Sequence, residues 1–239
     1  MKDVIDIHTH TIASGHAFNT IREMTAAAAQ KGLELLGISE HGPLMPGSCH
    51  EFYFSNLKIL DRNAYDIPVL FGVELNILDR SGNIDLAERY LTELDYGIAS
   101  LHPPCIPFMN EADITQAVIS AMENPYVNII GHPDDSRFPL NYDELVSAAV
   151  EHGVLLEINN ASLSPTGFRV GARENYFRML DCCMKYRCPV LLSSDAHADT
   201  LVGEHGFAAA ILAECAFPEE LVVNSSPEAF LSVLQKKKK

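Results

Sequence analysis

The feature that most constrains this chain is a regular alternation of short apolar runs with longer amphipathic stretches, repeated seven times along 239 residues. Strands and helices that alternate in this way pair their strands in parallel through right-handed crossovers. The pattern therefore predicts an α/β fold, either a closed barrel or an open doubly wound sheet. No segment of linker composition interrupts the alternation, so we expect one domain over residues 1–239.

The predicted strands are short, and each is followed within two residues by a polar residue. They span residues 4–7, 35–39, 68–73, 96–100, 127–130, 154–158 and 189–192. The clearest predicted helix begins at Thr20, because Glu23 completes a capping box and Gly32 follows the helix end. The other predicted helices span residues 86–94, 112–123, 142–152, 172–186, 206–215 and 227–234.

Composition narrows the class of partner. A net charge of −15 argues against binding to nucleic acid, which needs clustered Lys and Arg. No apolar run approaches the roughly 18 residues of a membrane span, and no signal segment precedes the first strand, so we expect a cytoplasmic protein. The basic run at 236–239 is interpreted as a solvated tail.

His8 and His10 lie two positions apart at the end of the first predicted strand. Side chains two apart in extended backbone point to the same face, and two neutral imidazoles placed in this way can share a metal ion. Alone, such a pair is more often a polar contact at a strand end than a metal site. The remaining strand ends decide between the two interpretations.

Residues of metal-binding types also follow most of the remaining predicted strands. They are His41, Glu74, His102, His132, Asp195 and His197, with His16 in the loop after the first strand. Because the carboxyl ends of parallel strands share one rim, we expect these side chains to converge. They exceed the needs of one tetrahedral ion, so the site should hold two or three.

The donor set also indicates the chemistry. Histidine with carboxylate favours zinc, manganese or iron over magnesium or calcium. A carboxylate such as Glu74 can bridge two ions, and paired ions activate water and stabilise charge during hydrolysis of a phosphate ester. The residues therefore predict a metal-dependent hydrolase.

The ordered motifs of the chain resemble those of the PHP (polymerase and histidinol phosphatase) superfamily, most closely its stand-alone, YcdX-like metal-dependent phosphatase branch. The motifs are His8-Thr9-His10, Glu40-His41, Glu74, His102, Gly131-His132-Pro133 and Asp195-Ala196-His197. The resemblance implies a distorted (β/α)7 TIM-like barrel and a phosphatase with three divalent ions, zinc being expected and manganese or iron left open. The implied substrate is a small phosphomonoester.

The resemblance also implies a role for each ligand. One ion would bind His8, His10, Glu74 and Asp195, and Glu74 would bridge to a second ion on His102 and His132. The third would bind His16, His41 and His197. His8, His10, Glu74, Asp195 and His197 are accordingly the expected catalytic residues.

Further residues are expected around this centre. Arg137, Arg169 and Arg173 follow predicted strands and could bind a substrate phosphate, since guanidinium suits that geometry, although solvated positions are equally consistent. Asn159 and Glu40 are expected to orient ligands. The remaining histidines fall outside the pattern and are expected on the surface or in loops. They are His50, His152 and His205.

Two other functions stay open. An amidohydrolase-type C–N hydrolase also begins with His-x-His, but it usually requires a carbamylated lysine, and no lysine ends a predicted strand. A non-catalytic metal-binding or regulatory PHP module would be favoured by missing ligands, and none is missing. The sequence leaves substrate identity and homo-oligomerisation open.

Overall fold

A computed structural model describes residues 2–237, with no side-chain description for residues 236 and 237. Residues 238 and 239 of the expected basic tail therefore lie outside the described residues. Seven parallel strands form one sheet in which each strand pairs with the next in chain order. The strands are β1 (Ile5–Asp6), β2 (Leu35–His41), β3 (Val69–Asn76), β4 (Tyr96–Ser100), β5 (Ile129–Ile130), β6 (Leu155–Asn159) and β7 (Val190–Ser193).

The helices surround this sheet. They are α1 (Ile21–Gln30), α2 (Phe52–Asn56), α3 (Glu88–Leu91), α4 (Glu111–Met122), α5 (Tyr142–His152), α6 (Asn160–Leu163), α7 (Ala172–Tyr186), α8 (Gly206–Glu214) and α9 (Pro227–Lys237). The capping box expected at Thr20 and Glu23 is present. The helix predicted over 86–94 is shorter in the structure, where α3 spans Glu88–Leu91 and begins after an extended Ala87. Within the described part of the chain, no helix combines the length and apolarity that a membrane crossing requires.

Tyr96, the first residue of β4, fills the interior of the barrel near the amino ends of the strands. Tyr96 is buried there; its hydroxyl donates to the Ile7 carbonyl at 2.7 Å, and its ring packs edge-on against Phe230 of α9. A Cβ at Gly72 would lie 2.5 Å from this ring, and one at Gly37 would lie 2.3 Å from its hydroxyl. Glycine on β2 and β3 thus makes room for the tyrosine. The predicted distorted α/β barrel is confirmed.

The barrel closes between β1 and β7, and we call this line the seam. Among the described residues, β1 and β7 do not pair as neighbouring strands there. One bridge pairs Thr9 with Ala196 beyond the strand ends. The fully buried side chain of Asn224 completes the closure. It accepts from the Leu192 amide at 2.8 Å and donates to the carbonyls of Leu192 and Ile5 at 2.9 and 3.2 Å. A side chain therefore replaces backbone pairing at this seam.

A buried histidine ties the same seam to α8. The sequence predicts His205 on the surface or in a loop. It lies in the loop just before α8 but is only 4% exposed, so the surface position is wrong. Its Nδ1 lies 2.8 Å from Asp3 and its Nε2 3.5 Å from Asp6. Asp6 also accepts from the amide and hydroxyl of Ser194. Two carboxylates thus compensate the burial of this imidazole.

Replacing Asn224 with alanine should lower the free energy of unfolding by about 2–4 kcal/mol, because the buried polar groups of Leu192 and Ile5 would lose their partner. Denaturant unfolding measures the change. Asn63→Ala, at an exposed site bonded to Asp61, is the control and should change stability by less than about 0.5 kcal/mol. Equal effects of the two substitutions would contradict the role of Asn224.

His205 predicts a pH dependence of stability. Burial opposes its charged form, but Asp3 and Asp6 raise its pKa from 6.5 to about 10. The stabilisation from the charged imidazole is thus complete below about pH 6.5 and is lost as pH rises through about 10. His205→Gln should cost about 2–4 kcal/mol at pH 6 and clearly less at pH 10.5 in denaturant unfolding. A cost that does not change with pH would contradict this pairing.

Candidate metal centre

The carboxyl end of the barrel gathers all the residues predicted as metal ligands. They are His8, His10, His16, His41, Glu74, His102, His132, Asp195 and His197. Glu74 lies at the end of β3 with its carboxylate fully buried in the middle of this group. Each of its two oxygens faces a different set of imidazoles.

One oxygen of Glu74 belongs to a four-atom cage. Glu74 Oε2 lies 3.4 Å from His8 Nε2 and 3.5 Å from His10 Nε2. Asp195 Oδ1 lies 3.6 and 3.3 Å from the same two nitrogens. In a tetrahedral zinc site with bonds of about 2.0–2.1 Å, neighbouring ligand atoms are about 3.3–3.4 Å apart. The cage has the size of such a site.

The other oxygen of Glu74 faces a second pair of imidazoles. Glu74 Oε1 lies 2.8 Å from His132 Nε2 and 3.2 Å from His102 Nε2. The carboxylate thus reaches one set of nitrogens with each oxygen, which is the geometry of a bridging ligand.

A third group lies next to the cage, closer to solvent. His16 Nε2 is 3.0 Å from His197 Nε2 and 3.3 Å from His41 Nε2. The ligand atoms of His10, His41 and His197 also lie within 4.8 Å of one another. His41 spans two groups, since its Nδ1 lies 2.6 Å from Glu74 Oε2.

The hydrogen bonding of these residues, and not only their residue types, indicates that they could hold metal ions. Four of these atoms are buried and make no hydrogen bond of acceptable geometry with the described residues: His8 Nε2, His10 Nε2, His41 Nδ1 and Glu74 Oε2, the last two facing each other at 2.6 Å. Orphaned buried polar atoms are rare, and each carries a desolvation penalty. Here all four converge on the same small volume, so bound cations would satisfy them together.

Outer partners orient the imidazoles toward this volume. His8 Nδ1 lies 2.6 Å from Glu157, a buried carboxylate on β6. His10 Nδ1 lies 3.1 Å from the hydroxyl of Ser14, which in turn donates to Glu40 at 2.6 Å. Such contacts are typical of the residues behind metal-ligating histidines. Glu40 therefore orients a ligand, as expected, and does so through Ser14.

The same arrangement recurs at the other side of the centre. His102 Nδ1 lies 2.7 Å from Asn76, whose amide donates to Asp85 at 2.6 Å. Asn159, at the end of β6, donates to Asp195 at 3.1 Å, as its position at the rim indicated. The buried polar groups form networks that hold the ligands in place.

The carboxylates of the centre are ionised. Burial opposes their charged forms, but His8 and neighbouring imidazoles hold the pKa of Glu74 well below its ordinary value. His8, His10 and Arg169 do the same for the pKa of Asp195. Both groups are thus available as anionic ligands.

Several of the imidazoles are neutral, which is the form that binds metal. Burial, and then the neighbouring imidazoles, lower the pKa of His10 well below its ordinary value. Burial lowers the pKa of His102 to about 4. At His8 burial acts in the same direction, but the surrounding carboxylates, Glu157 first, outweigh it and raise the pKa. Glu157 holds the Nδ1 side of His8, which leaves Nε2 facing the cage.

Two of the ligands have strained backbone. His132 and Asp195 have φ angles of 32° and 56°, in the left-handed region that favours glycine. The amide of His132 donates to Glu157 at 2.7 Å, and Asn159 donates to the carboxylate of Asp195. These contacts keep both residues in the conformation that turns their side chains into the centre.

The three arginines predicted to bind substrate have different surroundings. Arg169 reaches the centre: its side chain is 7% exposed, and its guanidinium lies 3.3 Å from Asp195. Arg137 pairs with Asp135 at 2.5 Å, and Arg173 pairs with Glu214 on the protein surface. Arg169 is thus the predicted arginine that the fold brings to the metal ligands.

A cavity of about 580 Å³ lies over the ligands. His16, His41, His102, Asp195 and His197 are its polar lining residues, and the buried members His41, His102 and Asp195 form its floor. Met45, Pro103, Pro104 and Phe168 form its walls, together with Arg169. The volume is that of a small-molecule site.

Sequence reasoning missed Glu157, Ser14 and Asn76. A charged residue inside the apolar run 154–158 was the available signal for Glu157, since an unpaired carboxylate is rarely buried in a strand. Ser14 and Asn76 carry no such signal, because short polar residues in loops and at strand ends are common.

Replacing Glu157 with glutamine should weaken zinc binding about 10–100-fold, because His8 loses the anion that orients it. Competition titration of the metal-free protein against a chelating dye measures the affinity. Glu151→Gln, at an exposed position on α5, is the matched control and should leave the affinity unchanged. An unchanged affinity in the folded Glu157→Gln protein would contradict the role of Glu157.

Comparison with known proteins places this site in a family. The PHP domain profile matches residues 6–161. Proteins named probable phosphatase from Clostridium novyi and Clostridium acetobutylicum are 41% and 42% identical over 239 residues, covering 100% of this chain and 97% of each relative. A histidinol phosphate phosphatase from Lactococcus lactis, solved with zinc, L-histidinol and phosphate, shares the fold: the TM-score is 0.61 at 18% identity, over 91% of this chain and 95% of the other. The chain belongs to the PHP domain family.

Proposed function

We propose that this protein is a metal-dependent phosphatase that hydrolyses a small phosphomonoester at a site for three divalent ions. The observation that carries the proposal is the buried carboxylate of Glu74, whose two oxygens face separate sets of imidazoles. Relatives at 41–42% identity over the whole chain are named probable phosphatases, which supports the reaction class.

Zinc is the proposed metal, with manganese or iron as alternatives that the same donors accept. His8, His10, Glu74 and Asp195 would hold one ion, and the cage they form has the size expected for zinc. Glu74 would bridge to a second ion held by His102 and His132, and a third would lie among His16, His41 and His197. Ions in such sites activate water and neutralise phosphate charge.

The protein's own groups position the substrate and its ester bond. Arg169 lines the cavity next to Asp195, so we propose that it contacts the substrate phosphate. Arg137 and Arg173 are held by Asp135 and Glu214, outside the cavity lining, and we do not assign them this role.

His197 is the expected catalytic residue with the most direct access to the substrate. Its side chain is 26% exposed and it lines the cavity, whereas His8 and His10 are fully buried. Its Nδ1 lies 2.9 Å from the Asp195 carbonyl, which orients the ring so that Nε2 faces His16. Because Nδ1 is engaged and Nε2 would bind the third ion, His197 would act on the substrate as a metal ligand and not as a proton donor.

The geometry offers no support for the amidohydrolase alternative. That class uses a carbamylated lysine as its bridging ligand, whereas the bridging ligand proposed here is a carboxylate, that of Glu74. The acidic net charge of −15 favours a small substrate over nucleic acid.

Replacing His10 or Asp195 with alanine should lower turnover of an aryl phosphate by more than about 100-fold, since each supplies a ligand atom to the cage. Elemental analysis of the purified proteins should show about three ions per chain in the wild type and fewer in the variants. His50→Ala, at an exposed position outside the centre, is the control and should retain both activity and metal.

Wild-type turnover in either variant would remove that residue from the site. A wild-type protein that stays free of metal after incubation with zinc, manganese and iron would contradict the proposed function. Circular dichroism of each variant confirms that the fold is retained.

A further inference from the structure

We infer that the substrate's leaving group is uncharged and apolar, and that Phe168 selects it. This inference rests on the proposed phosphatase function, because it concerns the part of the substrate that extends away from the metal ligands. It follows from the division of the cavity into a polar floor and an apolar wall. The two regions make different demands on a substrate.

The floor suits a phosphate and the wall does not. Imidazoles and the carboxylate of Asp195 form the floor. The other side of the lining is apolar: Met45, Pro103, Pro104 and Phe168 present thioether, pyrrolidine and phenyl groups, and all but Met45 are exposed, so they lie toward the mouth of the cavity. A phosphomonoester bound with its phosphate on the floor would therefore place its organic group against the apolar wall.

Phe168 is an exposed aromatic ring held at this wall by two cations. Its side chain is 69% exposed, and the guanidinium carbons of Arg169 and Arg137 lie 5.0 and 5.9 Å from the ring centroid. Cation–π contacts of this kind fix the ring without covering it. An apolar group in the cavity would remove part of the ring from water, which is the driving force for binding.

The charges along the cavity disfavour a cationic leaving group. Asp195 is the carboxylate among the described lining residues, and it already lies 3.3 Å from Arg169. An ammonium group against the wall would lose part of its hydration and would find a cation, Arg169, among the few lining charges. Burying an unpaired charge is costly, so the wall discriminates against such a substrate.

A matched pair of alkyl phosphates tests this inference. n-Hexyl phosphate and 5-aminopentyl phosphate have the same chain length and the same P–O–CH₂ linkage, but the second replaces a terminal methyl with an ammonium group. We expect kcat/KM for hexyl phosphate to be at least about tenfold higher, mainly through KM. p-Nitrophenyl phosphate is assayed in parallel as a general test for phosphatase activity.

A substitution at Phe168 tests whether the apolar wall causes this substrate preference. Phe168→Ala should raise KM for hexyl phosphate about five- to tenfold and so reduce the ratio between the two substrates. Phe52→Ala is the matched control, because Phe52 is 62% exposed, packs against His50 and does not line the cavity. It should leave the ratio within about twofold of wild type.

Each outcome discriminates between the proposals. Equal kcat/KM for the two alkyl phosphates, or a preference for the amine, would overturn the inference while leaving the phosphatase function intact. A preference that persists in Phe168→Ala would overturn the role of Phe168. Failure to hydrolyse p-nitrophenyl phosphate and both alkyl phosphates, in protein loaded with zinc or manganese, would overturn the proposed function and the inference with it.

Discussion

The structure depends on one buried carboxylate, that of Glu74, at the end of β3. A carboxylate that is fully removed from water is strongly destabilising unless charges or hydrogen bonds compensate it. Here imidazoles surround it, and these are themselves buried and need partners. Glu157, Ser14 and Asn76 are the hydrogen-bond partners of these imidazoles. The centre is therefore a polar network of two layers inside a largely apolar barrel.

This network explains how the barrel and its centre are related. The ligands stand where strands end, so the parallel sheet brings them to one rim without any ligand having to reach far. Backbone strain at His132 and Asp195 is the local cost of aiming two of them inward. The buried partners described above hold that strain in place.

Much of this could be predicted from sequence, for a physical reason. Residues at strand ends repeat in phase with the alternation of strands and helices, so the positions of Glu74 and His132 at the rim follow from local pattern. The closure of the barrel does not, because it depends on Asn224, which meets Leu192 and Ile5 only in the folded chain. The same limit applies to Arg173, whose partner Glu214 lies 41 residues further along the chain.

The seam between β1 and β7 affects how readily the barrel opens locally. Its two edges carry His8 and His10 on one side and Asp195 and His197 on the other, joined in the backbone by a single described bridge. Ions coordinated across these residues would act as a cross-link that fastens the barrel. Chelation would then loosen the molecule first along this line, and amide exchange and protease susceptibility there would report how fully the centre is loaded.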